Sequence, residues 1–182
     1  MSYEYTLRGF IPVFVPPMEL GRETAREVAE ALSPMLGAPE EFAPLFIART
    51  REVYGRANGI NIAIQRQAGG FFLETSGNAP DDYIDAVREA AKRLGPVVAW
   101  AGRFDLVNEE TGGPDNRDTI YFGPTPRSIA QRKFDDDRES ILALLALNLP
   151  PDAADRLHRQ ITREFELAQS DDGENASPGP GQ

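Results

Sequence analysis

The chain has 182 residues, 41% of them apolar, with no cysteine, one histidine and a formal net charge of −10; that length supports one substantial core, with or without a helical appendage. Without cysteine it forms no disulfide, iron–sulfur cluster or thiolate zinc site and has no thiol nucleophile, and a single His158 rules out paired-histidine metal sites. The negative charge opposes non-specific binding to nucleic-acid phosphates, and the 17 arginines beside only Lys92 and Lys133 read as coding bias.

The opening "MSYEYTLRG" lacks the basic and apolar regions of a secretion signal, and no run reaches the roughly 18 apolar residues of a membrane span, so a cytoplasmic protein is expected. Its continuation alternates with period two. Tyr3, Tyr5, Leu7, Ile11, Val13 and Val15 fall on one side and Glu4, Thr6 and Arg8 on the other, which predicts a strand. Phe10 and Phe14 interrupt the polar side, and Pro12 suggests an edge position or a bulge.

Next, Leu20, Val28, Ala31, Leu32 and Met35 recur at helical spacing; Pro34 should end or kink that helix, with Gly37 as its C-terminal cap. After a proline-rich connection, "LFIARTREVYG" and "INIAIQRQ" read as strands joined through Asn58-Gly59, a hairpin-turn dipeptide. The order then returns: "GGFFLETSG" as a strand, and "NAPDDYIDAVREAAKRLGP" as a helix with Asn78 as cap, Asp81 and Asp82 near its positive end, and Tyr83, Ile84, Val87, Ala91 and Leu94 as buried stripe. "VVAWAGRFDLVN" and "DTIYFG" follow as strands around the turn-rich "EETGGPDNR".

Two β-α-β-β units imply an α+β fold: an antiparallel sheet with helices on one face, ferredoxin-like or duplicated. "PRSIAQRKFDDDRESILALLALNL" and "PDAADRLHRQITREFELAQ" then predict a helical hairpin across Pro150-Pro151. The expected division is a sheet domain over 1–125, a hairpin over 126–169 packed on it, and a disordered acidic tail over 170–182. The tail "SDDGENASPGPGQ" carries three acids and no base.

Catalytic and cofactor motifs are missing. No G-x-G-x-x-G occurs, "TGGPDN" lacks the lysine and helix entry of a P-loop, and no G-x-S-x-G surrounds Ser76 or Ser128. No catalytic residue, cofactor or metal is therefore expected. Asp135, Asp136 and Asp137 cannot converge on one ion from successive helical positions about 100° apart, and an early-helix position would let them complement the macrodipole. Asp81 and Asp85 stack at i and i+4, but the helix dipole already accounts for Asp81. His158 reads as exposed or at the edge of a Leu157, Ile161, Phe165 and Ala168 stripe, and Trp100 as a core anchor.

Negative charge without catalytic motifs points to a non-enzymatic acidic binding protein. It would engage and inhibit a basic protein in the manner of an immunity protein or inhibitor, competing with nucleic acid rather than binding it. The residues that would carry this are Asp135, Asp136, Asp137, Glu109, Glu110, Asp115 and Asp118. A second reading puts an anionic small molecule, as a ligand or an enzyme's substrate, on a sheet face bearing Arg49, Arg51, Arg66 and Arg103 among Glu52, Glu74 and Asp105. A third is a structural or assembly component, as of a phage particle.

Overall fold

The computed structural model describes residues 2–13, 21–48, 50–80, 82–109 and 116–174. The chain forms two compact units, residues 1–132 and 133–182.

The first unit is built around β1 (Ser2–Pro12), whose odd-numbered side chains Tyr5, Leu7 and Ile11 are buried while Glu4 and Arg8 are exposed. It is followed by α1 (Arg22–Leu36) and α2 (Pro39–Ile47). The α1 helix runs two residues beyond Pro34 and stops at Gly37, whose φ of 90° suits glycine and whose N–H donates to the Ser33 carbonyl at 2.9 Å. Then come β2 (Glu52–Ala57), β3 (Ile60–Gln67), β4 (Gly70–Pro80), α3 (Tyr83–Leu94), β5 (Gly102–Asn108) and β6 (Arg117–Phe122). Asn58 and Gly59, both at positive φ, close the two-residue β2–β3 turn with Ala57 opposite Ile60.

The six strands form one open antiparallel sheet in the order β2-β3-β4-β1-β5-β6. The first half runs β-α-α-β-β and the second β-α-β-β, and their hairpins meet the central β4-β1 pair differently: the inner strand is the second of one hairpin, β3, and the first of the other, β5. One layer of helices covers one face. Buried residues of α1 (Val28, Leu32, Leu36), α2 (Phe42, Phe46) and α3 (Val87, Leu94) share a single cluster with Leu7, Ile62, Leu73, Phe104 and Phe122 of the sheet. Gly9 is required inside β1, because a Cβ there would collide with the Phe104 ring and the Arg103 carbonyl.

Several expectations need correction. Pro12 marks no edge: β1 is central, and Pro12 merely ends it opposite Gly70. The segment expected to open a strand at Leu45 is helical to Ile47, since Pro39 occupies the first helical position, Glu40 and Glu41 follow, and Phe42 and Phe46 bury at i and i+4. Asn78 caps no helix but lies in β4 opposite Glu4, and Asp82 occupies the cap position without a side-chain bond. Val97–Ala101 is loop rather than strand, and Trp100 is 40% exposed rather than a core anchor. Leu20, Phe14, Val15, Arg49 and Asp81 lie outside the described residues.

The second unit holds most of α4 (Pro126–Asn148) and all of α5 (Pro151–Glu174). Thr125 caps α4 reciprocally: the Ser128 N–H donates to Thr125 Oγ1 at 3.1 Å and the Thr125 N–H to Ser128 Oγ at 3.2 Å, with Pro126 at the first helical position. The turn at Leu149-Pro150 matches expectation, and α5 continues to Glu174, past Ser170. Phe134 and Phe165 stack with ring centroids 3.9 Å apart. The inward stripe of α5 is Ala154, His158, Ile161, Thr162 and Phe165. His158 is thus half-buried within the stripe, and Leu157 is the exposed neighbour. No described helix is long and apolar enough to cross a membrane.

Candidate binding face

Antiparallel pairing sets directly opposed residues on the same side of a sheet. The register therefore fixes what the helix-free face displays. One row runs Tyr54, Ala63, Glu74, Arg8, Asp105, Thr119 from β2 to β6; the next runs Arg56, Asn61, Ser76, Thr6, Val107, Arg117. Phe72 and Phe10 oppose one another at the other end, beside the Arg103–Tyr121 pair.

In the central row charge alternates. Arg8 Nη2 donates to Glu74 Oε1 at 3.0 Å, with side chains 60% and 40% exposed. Asp105 receives Arg103 Nε at 3.4 Å through one oxygen and the Thr119 hydroxyl at 3.2 Å through the other. Arg117 is exposed and makes no ion pair with any described residue. These side chains, with Thr6, Ser76 and Glu109, line a concavity of about 570 Å³. At the β2 edge the Tyr54 hydroxyl, 3.3 Å from Glu52 Oε2, has its pKa raised by that carboxylate, so it stays a protonated donor.

Exposed pairs of this kind contribute about 0–1 kcal/mol each, because solvent screens the attraction and ordering two long side chains costs entropy. Arg8 and Asp105 can therefore exchange their present partners for an incoming protein's charges at little cost. The helix-covered side of the sheet behaves differently. Tyr83 there is 3% exposed, and burial pushes its hydroxyl pKa up to about 12, the nearby Thr75 hydroxyl opposing this by less.

The described acidic candidates lie on separate elements, Asp118 on β6, Glu109 just past β5, and Asp135, Asp136 and Asp137 on α4. Asp118 lies opposite Leu106, on the side facing α3, where its carboxylate is 4.0 Å from Arg88. Glu109 is exposed at the strand end, its N–H donating to the Glu4 carbonyl at 2.8 Å. Glu110 and Asp115 lie outside the described residues. Asp135, Asp136 and Asp137 sit mid-way along α4 rather than in its first turn, with Asp135 and Asp137 exposed and Asp136 half-buried. Helix-dipole stabilisation, which fades after the first turn, therefore does not explain them.

Of the arginine and carboxylate candidates, Arg103, Glu52, Glu74 and Asp105 do share the open face. Arg66 turns the other way, donating to the Phe46 carbonyl at 3.0 Å over the Phe71 ring, and Arg51 precedes β2. Arg8, Arg117, Tyr54 and Ser76 complete the face. The polar alternation of β1 signalled Arg8, but only the strand order says what stands beside it. The chain matches no protein-family model, no curated protein and no solved structure.

Proposed function

We propose that this is a non-enzymatic binding protein of the inhibitor or immunity kind, acting in the cytoplasm, which engages another protein through the open face of its sheet. The observation that supports this reading is the Glu74–Arg8–Asp105–Thr119 row: a rigid, uncovered ladder of alternating charge whose ion pairs are exposed enough to be re-partnered. Mixed charge favours a partner with a complementary mixed patch over a uniformly basic one. The acids of the hairpin unit then act at longer range, since residues 133–182 carry 11 acids and 5 bases, against 18 and 14 in residues 1–132.

The test is capture of partners from source lysate by the tagged protein, comparing wild type with R8E and with Asp135, Asp136 and Asp137 all changed to Asn. Loss of one captured protein with R8E, and its retention by the Asn variant, is the expected result. The opposite pattern would move the site to the hairpin acids and end the sheet-face reading.

The 570 Å³ concavity favours a second reading, a small anionic ligand held by Arg8 and Arg117 beside the Thr6 and Ser76 hydroxyls. A thermal-shift series with inorganic phosphate and succinate, repeated on R117A, checks it: a stabilisation lost in the variant supports the ligand.

A further inference from the structure

The sheet ends at β6, which pairs with β5 on one side and with no strand on the other. Alternate residues of such an edge turn their N–H and C=O groups outward, where another strand can pair with them. Charge, proline or a bulge blunts most natural edges. Thr119, Ile120, Tyr121 and Phe122 bring neither charge nor proline, favour extended structure, and keep an unbroken register against β5. The opposite edge, β2, is interrupted by Glu52, Gly55 and Arg56.

A concavity of about 380 Å³ adjoins β6 on the helix-covered side. Ala91 of α3, Ile120 and Phe122 of β6 and Ile129 of α4 make it apolar, and all belong to residues 1–132. Among the described residues, the charged side chains lining it are Arg88 and Lys92, with no carboxylate. Arg88 is held by Asp85 at 3.0 Å and lies 4.0 Å from Asp118. Lys92 is exposed and pairs with no described carboxylate, and the first turn of α4 carries no acid.

We infer that β6 takes up an extended acidic segment of another protein as a seventh strand, with an apolar side chain in the concavity and a carboxylate at Lys92. Strand addition supplies affinity through main-chain hydrogen bonds and specificity through pockets for alternate side chains. Charge selects the segment. In a chain with 29 acids and 19 bases, an apolar hollow lined by two cations and no acid attracts an anionic strand and repels a basic one. Side chains two apart share a face of a strand, so the apolar and acidic residues of the segment stand two apart. A second copy's β6 does not fit, because its own Ile120 and Phe122 are buried and would leave the hollow empty. The surface is separate from the Arg8 and Asp105 row, so it stands or falls independently of the function proposed above.

Anisotropy of fluorescein-labelled, acetylated heptapeptides tests this, with threonine at even positions and valine, isoleucine, phenylalanine or glutamate at odd ones. The tightest members should carry both an apolar residue and a glutamate. Replacing that glutamate by lysine, or Lys92 by Glu, should weaken binding at least about fivefold, with K92Q intermediate and R8E unchanged. N-methylation of one alternate set of peptide amides should abolish binding and of the other set should spare it. No member binding below about 1 mM, indifference to K92E, or equal effects of the two methylated sets overturns the proposal. Sedimentation of the same samples should show peptide on a monomer; a chain dimer that excludes peptide would give the edge to a second copy and overturn it as well.

Discussion

The sheet unit and the hairpin answer the same need in opposite ways. Among the described residues every buried apolar side chain but Ala154 lies in residues 1–132, where three helices and a sheet bury one another. The hairpin has helices of 23 and 24 residues, longer than any in the sheet unit, yet Leu144, Leu147, Leu157 and Leu167 stay in solvent. Helix length supplies backbone hydrogen bonds, but stability comes from covering an apolar face, and two helices alone offer little to cover it with.

The sharpest way to break that comparison is one chemical change made in each unit. Phe104→Ala, at a fully buried ring packed on Phe122, should cost about 3–5 kcal/mol in urea unfolding. Phe165→Ala, in the half-buried stack, should cost about 1 kcal/mol. Its effect should appear as faster amide exchange along α4 and α5 with the strands unchanged. Equal costs would mean that the hairpin has a core of its own.

Alkaline titration comes next in size. Unfolded, Tyr83 ionises near its ordinary pKa of 10.0; folded, it keeps its proton to about 12. Between those values the folded state binds more protons, so the stabilisation, intact below pH 10, is lost as pH rises toward 12, amounting to about 2–3 kcal/mol at most. Tyr83→Phe should flatten that part of the stability profile, and an unchanged profile would place the alkaline loss elsewhere. The smallest effect belongs to Asp135, Asp136 and Asp137: changed together to Asn, they should shift the melting temperature by only a few degrees, each costing under about 0.5 kcal/mol.

What was legible in the chain was local. Asn58-Gly59 declared its turn because few other residues accept positive φ at both positions, and α3 and the proline-marked hairpin declared themselves by periodicity and capping. The α2 helix was hidden because β-favouring residues, Leu45 to Ile47, occupy a helix selected by Phe42 and Phe46 burying together. Burial of that sort is tertiary and overrides propensity. The candidate face was half-legible for a different reason. Alternation identified Arg8, Arg103, Glu74 and Asp105 as polar-side residues, but Arg8 meets Glu74 across 66 residues of sequence, and no local pattern encodes strand order.

That order also governs how the protein is made. Of the six strands, the earliest in the chain is at the sheet's centre, and its partners come late: Ser2 pairs with Pro80, and Gly9 with Phe104. At about 5–20 residues per second, the nascent chain carries Tyr5, Leu7 and Ile11 uncovered for on the order of 5–20 seconds. For that interval the future core strand exposes its apolar side without a cover, and synthesis must pass β5 before it has both its neighbours.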